Sequence, residues 1–105
     1  MIKILFICAG GISTSFLEQN TRKAFQAKGI EAEIMARPAS DLDNYIDQVD
    51  IVLLAPQVSY MKDDIAAICE AHQKPLVEIP MTVYGRMNGQ KTSEMILAKL
   101  NEGQA

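Results

Sequence analysis

The sequence has little of what metalloproteins, disulfide-rich secreted proteins or membrane proteins need. Its 105 residues include two cysteines, one histidine and no tryptophan. The cysteines, Cys8 and Cys69, are far apart in sequence, which favours reduced cytoplasmic thiols over a disulfide framework. No cluster of ligand residues has metal-binding spacing, and no apolar run approaches the roughly 18–20 residues of a membrane span. We therefore expect a cytoplasmic protein without a signal peptide, a metal or another cofactor.

An excess of positive charge is also missing. The formal net charge is −3, so neither nucleic acid nor an anionic membrane is expected as a partner. The length and the 49% apolar content suit one domain over residues 1–105 with a core of its own. The sequence has no repeats, low-complexity segments or linkers, and we expect a monomer.

Four apolar runs alternate with segments of helical periodicity. This rhythm predicts a parallel sheet with helices on both faces, in three layers. With the first strand central, the strand order is 2-1-3-4, the flavodoxin-like winding, and ligands bind at the carboxyl edge between the first and third strands. The predicted strands are 2–7, 30–36, 50–56 and 75–80, the predicted helices are 16–28, 42–49, 61–72 and 90–100, and loops are expected at 57–60 and 81–89.

The segment that follows the first strand predicts an anion site. Cys8 ends the strand, and the two glycines after it let the backbone turn sharply and bring N–H groups close to a bound group. Ser15 and Glu18 match a capping box, so a helix is expected from about Phe16. Amide groups and the positive helix end would favour an ionised, nucleophilic sulfur that is open to solvent. The predicted site is the catalytic Cys8 with a phosphate-binding loop formed by Ala9, Gly10, Gly11, Ile12, Ser13, Thr14 and Ser15.

Other interpretations of this segment are weaker. A cysteine that ends a buried strand is by itself more often a core residue. Residues 10–13 do not give a dinucleotide fingerprint, and no Gly-Lys-Ser/Thr follows, so a Walker loop is excluded. A tyrosine-phosphatase loop has an arginine six residues after its cysteine, where this sequence has Thr14. A site without that arginine, and without an evident acid, would hold a phosphoryl group on sulfur without hastening its hydrolysis, as a carrier requires.

The remaining candidate residues have simpler structural explanations. His72 lies at a predicted helix end, where a capping or surface role is expected. Cys69 lies in a helical pattern and is expected in the core. Tyr60 and Tyr84 lie on or beside the loops at the carboxyl edge and are more often packing residues. Arg86, in the last of these loops, is a weaker candidate for contact with an anion.

Three segments together resemble the enzyme IIB component of the bacterial phosphoenolpyruvate-dependent sugar phosphotransferase system, of the lactose/cellobiose (chitobiose) class. They are Cys8–Ser15, Leu54–Val58 and Ile79–Gly85, and the resemblance covers essentially the whole chain. It implies a fold like that of low-molecular-weight tyrosine phosphatases. The family's phosphorylated cysteine corresponds to Cys8 and its phosphate loop to residues 9–15. Ile12 and Ala55 stand where the family leads us to expect methionine and glycine.

The resemblance implies a phosphotransferase that works between two partners. A histidine on the IIA protein would give the phosphoryl group to Cys8, which would pass it to a disaccharide of the cellobiose, chitobiose or lactose type bound to the membrane IIC protein. Two alternatives stay open: a thiol-dependent phosphatase or arsenate-reductase-like enzyme, and a non-catalytic binding module with a structural Cys8. Whether Gln57, Tyr84 or Arg86 assists transfer or docking is also open.

Overall fold

The computed structural model describes residues 1–8 and 15–102. Short 3-10 helices lie at Ala39–Asp41, Ile46–Gln48 and Pro56–Met61. The strands are β1 (Ile2–Ile7), β2 (Ala32–Arg37), β3 (Ile51–Leu54) and β4 (Leu76–Glu78), and the helices are α1 (Ser15–Ala27), α2 (Leu42–Tyr45), α3 (Lys62–Ala71), α4 (Met81–Gly85) and α5 (Gly89–Glu102).

The four strands form one parallel sheet in the order β2-β1-β3-β4. Residue Ile4 of β1 pairs with Ile34 of β2 on one side and with Ile51 of β3 on the other, and Leu53 of β3 pairs with Val77 of β4. All strands therefore end at the same edge. The predicted strand order and the parallel sheet are confirmed.

The two central strands form the middle of the core. In β1, the side chains from Ile4 to Ile7 have no exposed surface, and β3 is at most 1% exposed throughout. A strand covered on both faces needs apolar side chains at consecutive positions, because neither face meets water. The outer strands β2 and β4 are less buried and carry a more mixed sequence.

Helices α1 and α5 pack closely against each other on one face of the sheet. The approach is so close that a Cβ atom at Gly89 would collide with the backbone of Asn20 and Thr21. Right-handed crossovers place α2 and α3, which connect strands in the opposite direction along the sheet, on the other face. The predicted three-layer architecture follows.

Two segments that the sequence predicted as loops are short helices. Residues 57–60 lie within the 3-10 helix Pro56–Met61, and residues 81–85 of the predicted loop 81–89 form α4. The prolines Pro56 and Pro80 suit these starts, because a proline near a helix N-terminus lacks only an N–H group that has no partner within the helix. Within the described part of the chain, no helix is both long and apolar enough to cross a membrane.

Candidate active site at the carboxyl edge of the sheet

Cys8 lies at the centre of the carboxyl edge of the sheet. It directly follows β1, and its backbone N–H donates to the carbonyl oxygen of Arg37 at the end of β2, 3.2 Å away. On the other side, the N–H of Ala55 donates to the carbonyl oxygen of Ile7 at 3.1 Å. The ladder hydrogen bonds thus hold Cys8 between the ends of β2 and β3, at the predicted switch point of the winding.

The Cys8 side chain is covered. The residue is only 2% exposed and belongs to the same apolar cluster as the central strands. The expectation of a sulfur open to solvent is therefore wrong for this conformation.

The predicted phosphate loop lies mostly outside the described residues. Residues 9–14 are not described, so Ala9, Gly10, Gly11, Ile12, Ser13 and Thr14 stay a sequence-based prediction. Ser15 is described and is the first residue of α1, one position before the predicted helix start. The 13-residue helix α1 therefore points its N-terminal end toward the carboxyl edge that carries Cys8, as a right-handed βαβ unit requires.

Arg37 is a charged residue of this edge that the sequence did not single out. It ends β2 in register with Ile7, the residue before Cys8. Its guanidinium donates to the carbonyl oxygen of Ala36 at 2.8 Å and lies over the ring of Tyr45, 5.0 Å from the centroid. The contact with Tyr45 raises the pKa of Arg37, so this cation stays charged at physiological pH. No periodicity or motif in the sequence brings residue 37 beside residue 8; only the strand register does.

Three large apolar side chains are exposed around the same edge. Phe16 near the start of α1 is 60% exposed, Tyr60 after β3 is 82% exposed, and Met81 after β4 is 59% exposed. We call these three residues the apolar rim. Exposed apolar groups in one region of a surface are typical of protein contact sites.

An open cavity is lined by residues at and just beyond the ends of β3 and β4. It has a volume of about 370 Å³, and Ser59 and Glu78 supply its polar lining. Glu78 also forms an ion pair with Lys62, with 3.2 Å between the nitrogen and the oxygen. Both side chains of this pair are about half exposed, so solvent weakens the attraction.

The other candidate residues differ in where the structure places them. Gln57 is exposed near the end of β3, whereas Tyr84 is buried in α4. Arg86 lines a groove with Lys23 and Asn88 between α1 and the start of α5, and Cys8 is not among the residues described there. The structure therefore does not bring Arg86 to the cysteine through any contact among the described residues.

Cys69 and His72 have the structural roles that the sequence predicted for them. Cys69 is 1% exposed in α3, and burial raises the pKa of its thiol. His72 follows the last residue of α3, and its Nδ1 lies 2.9 Å from an Asp47 carboxylate oxygen. Both residues lie at or near the C-terminal end of α3, which points to the amino edge of the sheet, so neither belongs to the Cys8 site.

The fold and the site together define a class: a small, parallel α/β domain whose central strand ends in a cysteine at the ligand-binding edge. Comparison with known proteins makes this class specific. The family described as "PTS system, Lactose/Cellobiose specific IIB subunit" matches residues 3–94. The chain belongs to this family, whose members are phosphotransferase components of sugar uptake systems and generally work with IIA and IIC partners.

Individual relatives agree with the family. A galactose-specific EIIB component from Lactococcus lactis subsp. cremoris is 38% identical in an alignment of 93 residues that covers 84% of this chain and 86% of the relative. A cellobiose-specific EIIB component from Lactococcus lactis subsp. lactis matches with the same identity and coverage. An oligo-beta-mannoside-specific EIIB component from Bacillus subtilis is 33% identical over 98 residues, 93% of this chain and 95% of the relative.

Solved structures agree with the fold. The solution structure of a cellobiose-specific phosphotransferase IIB component from Borrelia burgdorferi superposes with a TM-score of 0.82 at 35% identity, covering 96% of this chain and 93% of that one. The lactose-specific IIB domain from Streptococcus pneumoniae has a TM-score of 0.83 at 17% identity, covering 93% and 96%. The second likeness concerns the fold alone.

Proposed function

We propose that Cys8 carries the phosphoryl group in this phosphotransferase component. The Cys8 thiolate attacks the phosphorus of a phosphohistidine on IIA; the S–P bond forms, the P–N bond breaks, and the histidine nitrogen leaves with the bonding electron pair. A sugar hydroxyl on IIC then attacks the same phosphorus. The O–P bond forms, the S–P bond breaks, the hydroxyl proton passes to a base or to water, and Cys8 returns as a thiolate.

One observation carries this proposal: Cys8 is held at the centre of the carboxyl edge, between the ends of β2 and β3. Ligands of doubly wound α/β domains bind at this edge. The second cysteine, Cys69, is buried in α3 near the opposite edge. Residues Ala9–Ser15 would supply backbone N–H groups to the phosphoryl oxygens, which stabilise the transferring group in both directions.

Both partners would dock over the apolar rim. Phe16, Tyr60 and Met81 surround the edge that contains Cys8, and a phosphohistidine or a sugar hydroxyl has to approach the same sulfur. IIA and IIC would therefore compete for this surface on the cytoplasmic side of the membrane. Contacts that form and separate in every cycle are expected to be small.

The sugar would be a disaccharide of the cellobiose type. Two of the relatives are named for cellobiose and oligo-beta-mannoside, and a third for galactose. The test is transfer from the phosphorylated protein to each sugar in vesicles that contain IIC. Phosphorylation of cellobiose supports the proposal, and phosphorylation of galactose alone contradicts it.

The relay is tested by incubating the protein with phosphoenolpyruvate, the general phosphocarrier proteins and a IIA protein, then locating the added mass. We expect one phosphoryl group, on the peptide that contains Cys8. Label on Cys69 would overturn the assignment. Hydrolysis of an aryl phosphate by the pure protein would favour the thiol phosphatase instead.

The burial of Cys8 needs a separate measurement, because a covered sulfur favours a non-catalytic role. The rate at which iodoacetamide alkylates Cys8 at neutral pH reports whether Sγ becomes accessible in solution. If Cys8 is alkylated much faster than Cys69, the result supports the proposal that Cys8 carries the phosphoryl group. Equal protection of both thiols, together with no uptake of phosphate, would support the binding module.

A further inference from the structure

Tyr84 carries a hydroxyl group that is buried within the described part of the chain. Among the residues that the structure describes, its Oη is the one buried side-chain polar atom without a hydrogen-bond partner. The residue is 9% exposed and lies in the same apolar cluster as Cys8. Leaving a buried donor unpaired is unfavourable, and buried tyrosine hydroxyls usually have partners. A phenylalanine would fill the same space without this penalty. The hydroxyl group is therefore a candidate for binding a ligand.

The position of Tyr84 links the end of the sheet to the helix that follows Cys8. Its backbone N–H donates to the carbonyl oxygen of Pro80 at 2.9 Å, which fixes α4 just beyond β4 at the carboxyl edge. The turn after α4 contacts α1, where Asn20 Nδ2 donates to the Met87 carbonyl oxygen at 2.9 Å. Tyr84 therefore lies in the short segment between the end of β4 and the turn that contacts α1, and α1 begins seven residues after Cys8.

We propose that the Tyr84 hydroxyl binds the phosphoryl group on Cys8, donating a hydrogen bond to one of its oxygens in the phosphorylated state. This inference rests on the proposed function. A phosphoryl group brings acceptor oxygens and up to about two negative charges, so it suits a buried donor that has no other partner. At the position where a tyrosine phosphatase has its arginine, this chain has the uncharged Thr14. A neutral phenol stabilises the phosphocysteine without adding a cation that would draw electrons from the S–P bond.

The test uses Tyr84→Phe with Tyr45→Phe as the matched control. Tyr45 lies in α2, is only partly buried and has its ring against the Arg37 guanidinium, so loss of its hydroxyl leaves Cys8 and the apolar rim untouched. Each protein is mixed with a phosphorylated IIA protein, and the equilibrium share of phosphate on each partner is measured by intact mass. A hydrogen bond to a charged group contributes about 1.5–3 kcal/mol, so we expect Tyr84→Phe to shift the equilibrium toward IIA by about ten- to a hundredfold. We expect Tyr45→Phe to leave it unchanged.

A structural role makes the opposite prediction. If Tyr84 only packs, Tyr84→Phe has the wild-type phosphoryl equilibrium, which would overturn the proposal. A second measurement on the wild-type protein does not depend on the variant. With tyrosine labelled at the ring carbon that bears oxygen, the Tyr84 resonance should move on phosphorylation more than those of Tyr45 and Tyr60. If the wild-type protein takes no phosphate on Cys8, the proposed function fails first; if it does and Tyr84→Phe matches it, only this inference fails.

Discussion

The two cysteines have almost the same burial and very different surroundings. Cys8 ends a central strand at the ligand-binding edge, whereas Cys69 lies inside α3 and its thiol is kept neutral by desolvation. Exposure alone would not tell them apart, since both are at most 2% exposed. The positions of the two cysteines in the fold do tell them apart, because ligands bind at the carboxyl edge of such a sheet.

We expect Cys8→Ser to keep the fold and to abolish uptake of phosphate from IIA. A serine hydroxyl has nearly the shape of the thiol but is not ionised at neutral pH, so the nucleophile is lost. Cys69→Ala is the matched control, a buried substitution that should lower stability slightly and leave transfer unchanged. Intact mass after incubation with the phosphorylated IIA protein measures both. Full labelling of Cys8→Ser would contradict the assignment.

The raised pKa of Cys69 has a consequence at alkaline pH. Above the ordinary thiol value of 9.0 the unfolded chain releases the Cys69 proton, while the folded protein still holds it. The folded state then binds more protons, so stability falls as pH rises, with a slope of at most about 1.4 kcal/mol per pH unit. We expect wild-type protein to lose more stability than Cys69→Ala between pH 8 and pH 10. Urea unfolding at both pH values measures this difference, and equal losses would contradict it.

At the scale of the element, the sequence predicts the long elements well and the short ones badly. The strand β1 and the helices α1 and α5 were placed within about two residues, because each has a clear apolar pattern over several turns or a whole strand. The helix α4 has five residues, and the 3-10 helix Pro56–Met61 has six. Neither is long enough to show a period, and Gly85 within α4 reads as a turn signal.

The contact of α5 with α1 depends on one glycine. A methyl group at Gly89 would meet the backbone of Asn20 and Thr21, which cannot move without displacing α1. We expect Gly89→Ala to lower the free energy of unfolding by about 1–3 kcal/mol or more, as overpacking does. Gly85→Ala is the control, since a Cβ atom there meets nothing within 4 Å. Chemical denaturation compares the two variants, and equal stability would show that the helices can separate without penalty.

At the scale of the whole molecule, the strand order decides where function is placed. Because all four strands are parallel, the segments that carry Phe16, Tyr60 and Met81 meet at one edge although they are far apart in sequence. The alternation of strands and helices in the sequence predicted that ligands bind at this edge. It could not predict that Cys8 would be covered or that Arg37 would lie beside it, because these facts depend on packing and register between distant residues.

We expect Tyr60→Ala to weaken docking of IIA without changing the fold. An 82% exposed aromatic ring contributes little to the core, so its loss should raise the KM for phosphorylated IIA several-fold while the melting temperature stays constant. Glu31→Ala, an exposed change before β2 at the amino edge, is the control. The initial rate of transfer at several IIA concentrations measures the effect. If both variants have wild-type kinetics, the apolar rim is not part of the docking surface for IIA.

If Cys8 carries the phosphoryl group as proposed, its burial also limits a wasteful side reaction. A phosphoryl group on sulfur keeps its transfer potential only until water attacks it, and every such loss wastes one molecule of phosphoenolpyruvate without importing a sugar. A residue that is 2% exposed has little contact with water or with other reactants, so hydrolysis of a phosphoryl group held there would be slow. A partner that exposes Cys8 as it docks would therefore determine both the rate of phosphoryl transfer and the rate of hydrolysis.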